Sequence, residues 1–82
     1  MSTALGRVYQ PLYTDLDGDI HIVGVPAPAF EIAEARVRSA QALQTQIFGV
    51  HTIQWPTYIS EIELDLAGRP SSTINVTEVP WS

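Results

Sequence analysis

Residues 28–48 read PAFEIAEARVRSAQALQTQIF, and this stretch decides the fold. Phe30, Ala33, Val37, Ala40, Ile47 and Phe48 recur at the 3.6-residue period of a helix and form one apolar stripe. Glu31, Glu34, Arg38, Gln41 and Thr45 fall on the other side, which predicts a solvated face. The middle of the stripe is alanine, so another layer can approach closely, with Phe30, Ile47 and Phe48 expected to anchor the two ends. Pro26 and Pro28 break the preceding segment and launch the helix. Early acids suit the positive end of its dipole, Glu34 and Arg38 stand in the favourable i,i+4 order, and Gly49 is placed to terminate it.

Upstream, residues 7–16 and 19–25 are rich in Val, Ile, Tyr and Leu and flank Asp17-Gly18. That pair readily takes the positive φ angles of a type I′ turn, so a hairpin is expected with Tyr13 opposite Ile22 and Asp15 opposite Ile20. Pro11 cannot donate to a ladder, which assigns the first strand to an edge or a bulge. Downstream, residues 50–55 alternate, Pro56 interrupts, and residues 57–66 show the clearest period of two in the chain. Ile62, Leu64 and Leu66 are expected to face a core, with Glu61, Glu63 and Asp65 facing water. A turn-rich stretch over 67–72 leads to a last strand over 73–79, with Ile74 and Val76 inward. The order β-β-α-β-β-β lacks alternating βαβ units. It therefore predicts an α+β fold in which a single helix packs on a mainly antiparallel sheet of four to five strands.

Eighty-two residues make one domain, spanning 1–82. So short a chain buries only about 60 to 65% of its unfolded surface, and with no cysteine it has no disulfide to add. Self-association or a partner is the expected supplement. Residues 1–7 lack the apolar run of a secretory signal, and no stretch approaches the ~20 apolar residues of a membrane span. The expectation is a cytoplasmic protein, or part of an intracellularly assembled particle such as a virion, without membrane contact. Nine acids against four arginines, and no lysine, give a formal charge of −5. That balance argues against direct nucleic-acid binding and favours an encounter with a basic protein surface if charge guides one.

Four groups of residues are candidates for chemistry or contact. Asp15, Asp17 and Asp19 sit at alternate positions, as the first oxygen ligands of a calcium loop do, but the glycine comes at the fourth position and Pro26 stands where the bidentate glutamate belongs. An acidic hairpin turn accounts for them. His21 and His51 lie on different predicted strands without helical i,i+4 spacing, so neither a metal nor a cofactor is assigned. Glu61, Glu63 and Asp65 form an acidic row that would meet a basic partner, and Trp81, after a stiffening proline, would either dock into a neighbour or fold back over the domain's own sheet. Trp55, within a strand, is expected in the core. Asn75-Val76-Thr77 fits a glycosylation sequon, read here as ordinary strand residues.

The opening hairpin, Tyr9-x-Pro11 followed by Asp15-x-Asp17-Gly18-Asp19-Ile20 and a helix containing Ala and Glu, faintly resembles the partial RNase-H-like domain of HicB-type antitoxins over about half the chain. That family has a third strand before its helix, where Val25-Pro26-Ala27-Pro28 leads directly into this one. No Gly-rich phosphate loop or nucleophile elbow is present. The expected function is a non-enzymatic interaction or assembly module, self-associating or a small structural subunit of a phage-like particle. The alternative is a small acidic inhibitor, of the antitoxin, immunity or anti-defence type, neutralising a basic protein.

Overall fold

The computed structural model describes residues 6–81; residues 1–5, part of the stretch read above for a secretory signal, and Ser82 lie outside the described part. Helix α1 (Phe30–Phe48) starts two residues inside the expected span and ends at Gly49, whose N–H donates to Thr45 O. It packs on a four-stranded antiparallel sheet built from β1 (Arg7–Thr14), β2 (Ile20–Ile22), β3 (Thr57–Leu64) and β4 (Pro70–Glu78), in the spatial order β2-β1-β3-β4. The class is α+β, with one helix on one antiparallel sheet.

Residues 50–55 are not a strand. They form a short 3-10 turn (Gly49–His51) and an irregular return to β3, so the element order is β-β-α-β-β. Their alternation of apolar and polar residues has no neighbouring strand to pair with, since β4 takes the free side of β3 and β1 the other. The first strand is not at an edge either. Pro11 sits in a central strand, and its missing N–H falls on the β2 side, opposite an irregular stretch between two pairings: Val23 N–H donates to Pro11 O, and Tyr9 and Ala27 exchange both backbone bonds.

The first hairpin closes in a different register from the one its Asp-Gly pair suggests. Tyr13 lies opposite His21 and Thr14 opposite Ile20, one residue away from the type I′ expectation. The cause is Asp15, whose Oδ1 accepts the N–H groups of Asp17 and Asp19, each at 2.9 Å, while Gly18 N–H donates to Asp15 O. These bonds build a three-residue loop, a tight turn followed by Gly18 at φ +84°. Asp65-Leu66-Ala67-Gly68-Arg69 repeats the arrangement at the β3–β4 turn: Asp65 Oδ1 accepts from Ala67 and Arg69, and Gly68 takes φ +77°. A one-residue slip exchanges the faces of a strand. Tyr13 and His21 therefore share the helix side, while Ile20 and Ile22 turn away from it.

The core is small. Ala27, Ala33, Val37, Ile59 and Val79 are buried, with Tyr9 and Phe30 packed against them edge to face at a centroid distance of 6.1 Å. Ile59 fixes which face of β3 lies under the helix, and alternation then carries Thr57, Glu61 and Glu63 to the same side. Ile62 and Leu64 consequently face away from the helix, the reverse of the sequence expectation, and Leu66 is exposed in the turn. Ile74 and Val76 are also exposed instead of inward, with Ile74 the additional residue of a bulge opposite Glu61 and Ile62. On α1 the buried positions are Ala33, Val37 and Gln41, whereas Ile47 and Phe48 remain more than half exposed. Arg38 does not pair with Glu34 but donates to Pro80 O and Gln41 Oε1. A 19-residue helix spans about 28 Å, against a longest dimension of 51 Å. The β3–β4 ribbon accordingly projects past it.

Candidate functional site

Beyond Gln41, which bonds Thr57 at the start of β3, the helix continues for about two turns, and the returning chain is tied to it where Thr52 Oγ1 donates to Gln44 O. Between them lies a cavity of about 410 Å³. Tyr13 and Thr57 form its sheet wall, Val37, Gln41 and Phe48 its helix wall, and Trp55 and Trp81 close the remaining side. His21, Tyr13 and Trp55 stack in one column, at ring-centroid distances of 4.9 and 5.2 Å with planes inclined by 12° and 18°. The column follows from the corrected register: His21 stands beside Tyr13 on β2, and Trp55 approaches from the β3 side.

Gln41, assigned to the solvated face by periodicity, is 4% exposed and ties three elements together. Its Nε2 donates to Thr57 Oγ1 at 2.9 Å and to Val79 O at 3.2 Å, while Thr57 Oγ1 donates to Val79 O at 2.6 Å. A buried polar group costs free energy unless it is hydrogen-bonded, and this amide is. Trp81 folds against its own chain, its Nε1 donating to Trp55 O at 2.8 Å. Trp55 itself is half-buried, and its indole N–H is buried without a hydrogen-bond partner, alone in this among the described residues.

The other expected positions distribute as follows. Glu61 accepts from Arg7 at 2.8 Å, and Asp65 holds its turn and lies 3.7 Å from Arg69, so two members of the acidic row are engaged within the chain. Glu63 lies on the helix side with Arg7 opposite it. The Asp15, Asp17 and Asp19 carboxylates approach within 4.8 Å of one another. Asp15 spends both oxygens on the hairpin, Oδ1 on the turn and Oδ2 on His21 Nε2 at 2.7 Å, so the turn accounts for the cluster. His51 lies in the 3-10 turn at the cavity, away from that group.

The hydrogen bond from His21, followed by those from the Asp19 and Asp17 amides, holds the Asp15 carboxyl below its ordinary value of 3.8 against an opposing effect of desolvation. A carboxylate whose pKa is lowered by folding stabilises the fold above its unfolded pKa and stops doing so as pH falls through the lowered value. The β1–β2 turn should therefore hold at neutral pH and loosen only in acid. In an NMR titration the Asp17 and Asp19 amide resonances should move together, with a midpoint below 3.8. A midpoint at or above that value would contradict the bonding described.

The sheet face away from the helix carries Leu12, Ile20, Ile22, Tyr58, Ile62 and Val76. Ile20 and Ile22 are each 67% exposed, and no element of the described chain packs over this face. Glu78, on the edge strand, is the charged residue that strand pairing assigns to it. No signal in the sequence separated this face from the covered one, because both alternate. Among the described residues no helix is long and apolar enough to cross a membrane. Comparisons of the chain with family models, with curated proteins and with solved structures return no match.

Proposed function

We propose that this protein is a non-enzymatic assembly module whose contact surface is the sheet face away from α1, and that its occupant is the same face of a second copy. The observation that carries the reading is the apolar group Ile22, Leu12 and Tyr58, with Ile20, Ile62 and Val76 on the same face, over which no element of the described residues packs; Glu78 ends the row on β4, and Gln10 and Ser60 form the next row with Val76. Contiguous apolar patches on soluble proteins mark interaction surfaces. Two such faces stacked about 10 Å apart would form a sandwich, adding the burial that the small internal core lacks.

Charge supports a second copy despite the net −5. Arg7, Glu61 and Glu63 lie on the helix side, so Glu78 is the carboxylate that strand pairing brings to the contact. The sheet edges support face-to-face rather than edge-to-edge contact. β2 has only three residues, and β4 begins at a proline and carries two irregularities in its pairing, features that blunt edge addition. The acidic-inhibitor reading has less behind it, because Glu61 and Asp65 already have partners in the chain.

Sedimentation equilibrium over a range of concentrations tests the proposal. A reversible dimer is expected. Ile22→Glu, at a site exposed in the single chain, should weaken it about a hundredfold by forcing an unpaired charge into the interface. Circular dichroism should be unchanged. A chain that stays monomeric at every concentration, or a dimer indifferent to Ile22→Glu, would refute this surface.

A further inference from the structure

We infer that Glu78 makes the self-contact proposed above pH-dependent, so that two copies hold each other more tightly in mild acid than at neutral pH. The inference rests on that reading of the open sheet face and adds its regulation.

It starts from where the charges of the chain lie. Glu78 pairs with Tyr58 and ends the row of Ile22, Leu12 and Tyr58 on the face away from α1. The residue is exposed, and its carboxylate has no ion-pair partner among the described residues. A second copy brings none either. The chain has no lysine and four arginines, and each arginine is placed elsewhere: Arg7 on the helix side of β1, Arg36 and Arg38 on α1, and Arg69 in the β3–β4 turn beside Asp65. His21 is on the helix side, bonded to Asp15, and His51 is in the 3-10 turn at the cavity. The titratable neighbour of Glu78 in its own row is Tyr58, whose class of side chain stays neutral in mild acid and at neutral pH.

A contact between identical faces therefore gathers one Glu78 from each copy and no cation. Drawing a carboxylate out of water without a counter-charge disfavours its charged form, and a second carboxylate in the same contact disfavours it further. Each copy then takes up a proton on joining. By linkage, a step that takes up protons is favoured as pH falls and opposed as pH rises. The position of Glu78 sets the size of the effect. It stands on an edge strand, so part of its hydration survives in the pair, and a change of about tenfold in Kd from about pH 7.5 to about pH 5.5 is expected. That range lies well above the acid in which the Asp15 turn loosens.

Sedimentation equilibrium at those two pH values, in about 0.3 M salt to screen long-range repulsion between copies, tests the inference. The unaltered chain should dimerise about tenfold more tightly at the lower pH. Glu78→Gln keeps the shape of an exposed side chain and removes its charge. At about pH 7.5 it should dimerise as tightly as the unaltered chain does at about pH 5.5, and its Kd should change less than about twofold between the two, with circular dichroism unchanged. Glu63→Gln alters net charge by the same amount on the helix side and should keep the full pH dependence. A dimer that Ile22→Glu weakens but whose Kd is the same at both pH values would overturn this inference and leave the assembly reading standing. So would a Glu78→Gln protein that keeps the tenfold change, or a Glu63→Gln protein that loses it, since net charge and not Glu78 would then govern. If neither the unaltered chain nor Glu78→Gln associates at either pH, both readings fall.

Discussion

Replacing Ile59 by alanine should bring the protein to the edge of unfolding at room temperature. Ile59 is 1% exposed, lies in a central strand, and is among the largest side chains that the fold buries completely. Removing its outer carbons loses their transfer free energy and leaves a void, because the facing residues, Ala33 and Val37 on a regular helix, have little freedom to collapse. The cost is about 3 to 4 kcal/mol, and a domain of this size has only about 3 to 5 kcal/mol in total. Urea denaturation followed by circular dichroism at one fixed protein concentration gives the number, and Ile59→Val should cost about 1 kcal/mol in the same assay. A loss below about 1 kcal/mol for Ile59→Ala would mean that the core does not rest on this residue.

Gln41→Ala should be the next most damaging change. The amide holds Thr57 at the start of β3 and Val79 beyond the end of β4 against the helix, and its removal leaves room in the cavity wall as well as dissolving two buried hydrogen bonds. Together these should cost about 2 to 3 kcal/mol. Gln41→Leu, which keeps the volume, should cost about 1 to 2 kcal/mol, the hydrogen-bonding part alone. Thr57→Val removes the hydroxyl that receives from Gln41 and donates to Val79. In a double-mutant cycle with Gln41→Leu, the pair should couple by about 0.5 to 1.5 kcal/mol, and strict additivity would show that the three groups do not act as a unit.

Why Gln41 was missed explains much of what the sequence could convey. A helical stripe is drawn through apolar residues, and a buried glutamine interrupts it; only the partners waiting on β3 and after β4 make the position inward. The helix itself was legible because its period needs no partner, and the strand over residues 57–64 for the same reason. Which side of that strand is covered was not. Ile59 and Ile62 sit on opposite faces, and the decision falls to the helix, which ends its coverage before Glu61 and Glu63 and so leaves acids on the same side as the core. The hairpin over residues 15–19 shows a second limit. Asp-Gly correctly marked a turn, but the side chain of Asp15 chose the loop length, and that shifted every pair beside it.

The candidate cavity was legible only in its parts. Trp55 and Trp81 stood out as aromatic residues, and of the two readings open for Trp81 the N–H bond to Trp55 O is of the kind that folding back makes. Tyr13 and His21 belong to the same column only in the register that Asp15 imposes. Residues 50–55 contribute because they fail to become a strand: they return irregularly to β3 under the end of the helix, and His51, Ile53 and Trp55 line the space there. The missing strand and the cavity are one event.

The projecting part of the β3–β4 ribbon sets a rule of parity for changes in its length. Adding or deleting two residues on each strand moves the Asp65 turn outward or inward but leaves every remaining side chain on its present side. An odd change on β3 alone transposes the register from that point to the tip, carrying Leu64 to the side of Glu63 and the acids toward the apolar side. Even insertions beyond Ile62 are thus nearly silent for the core and the cavity, while a single extra residue rewrites the surface of the whole arm.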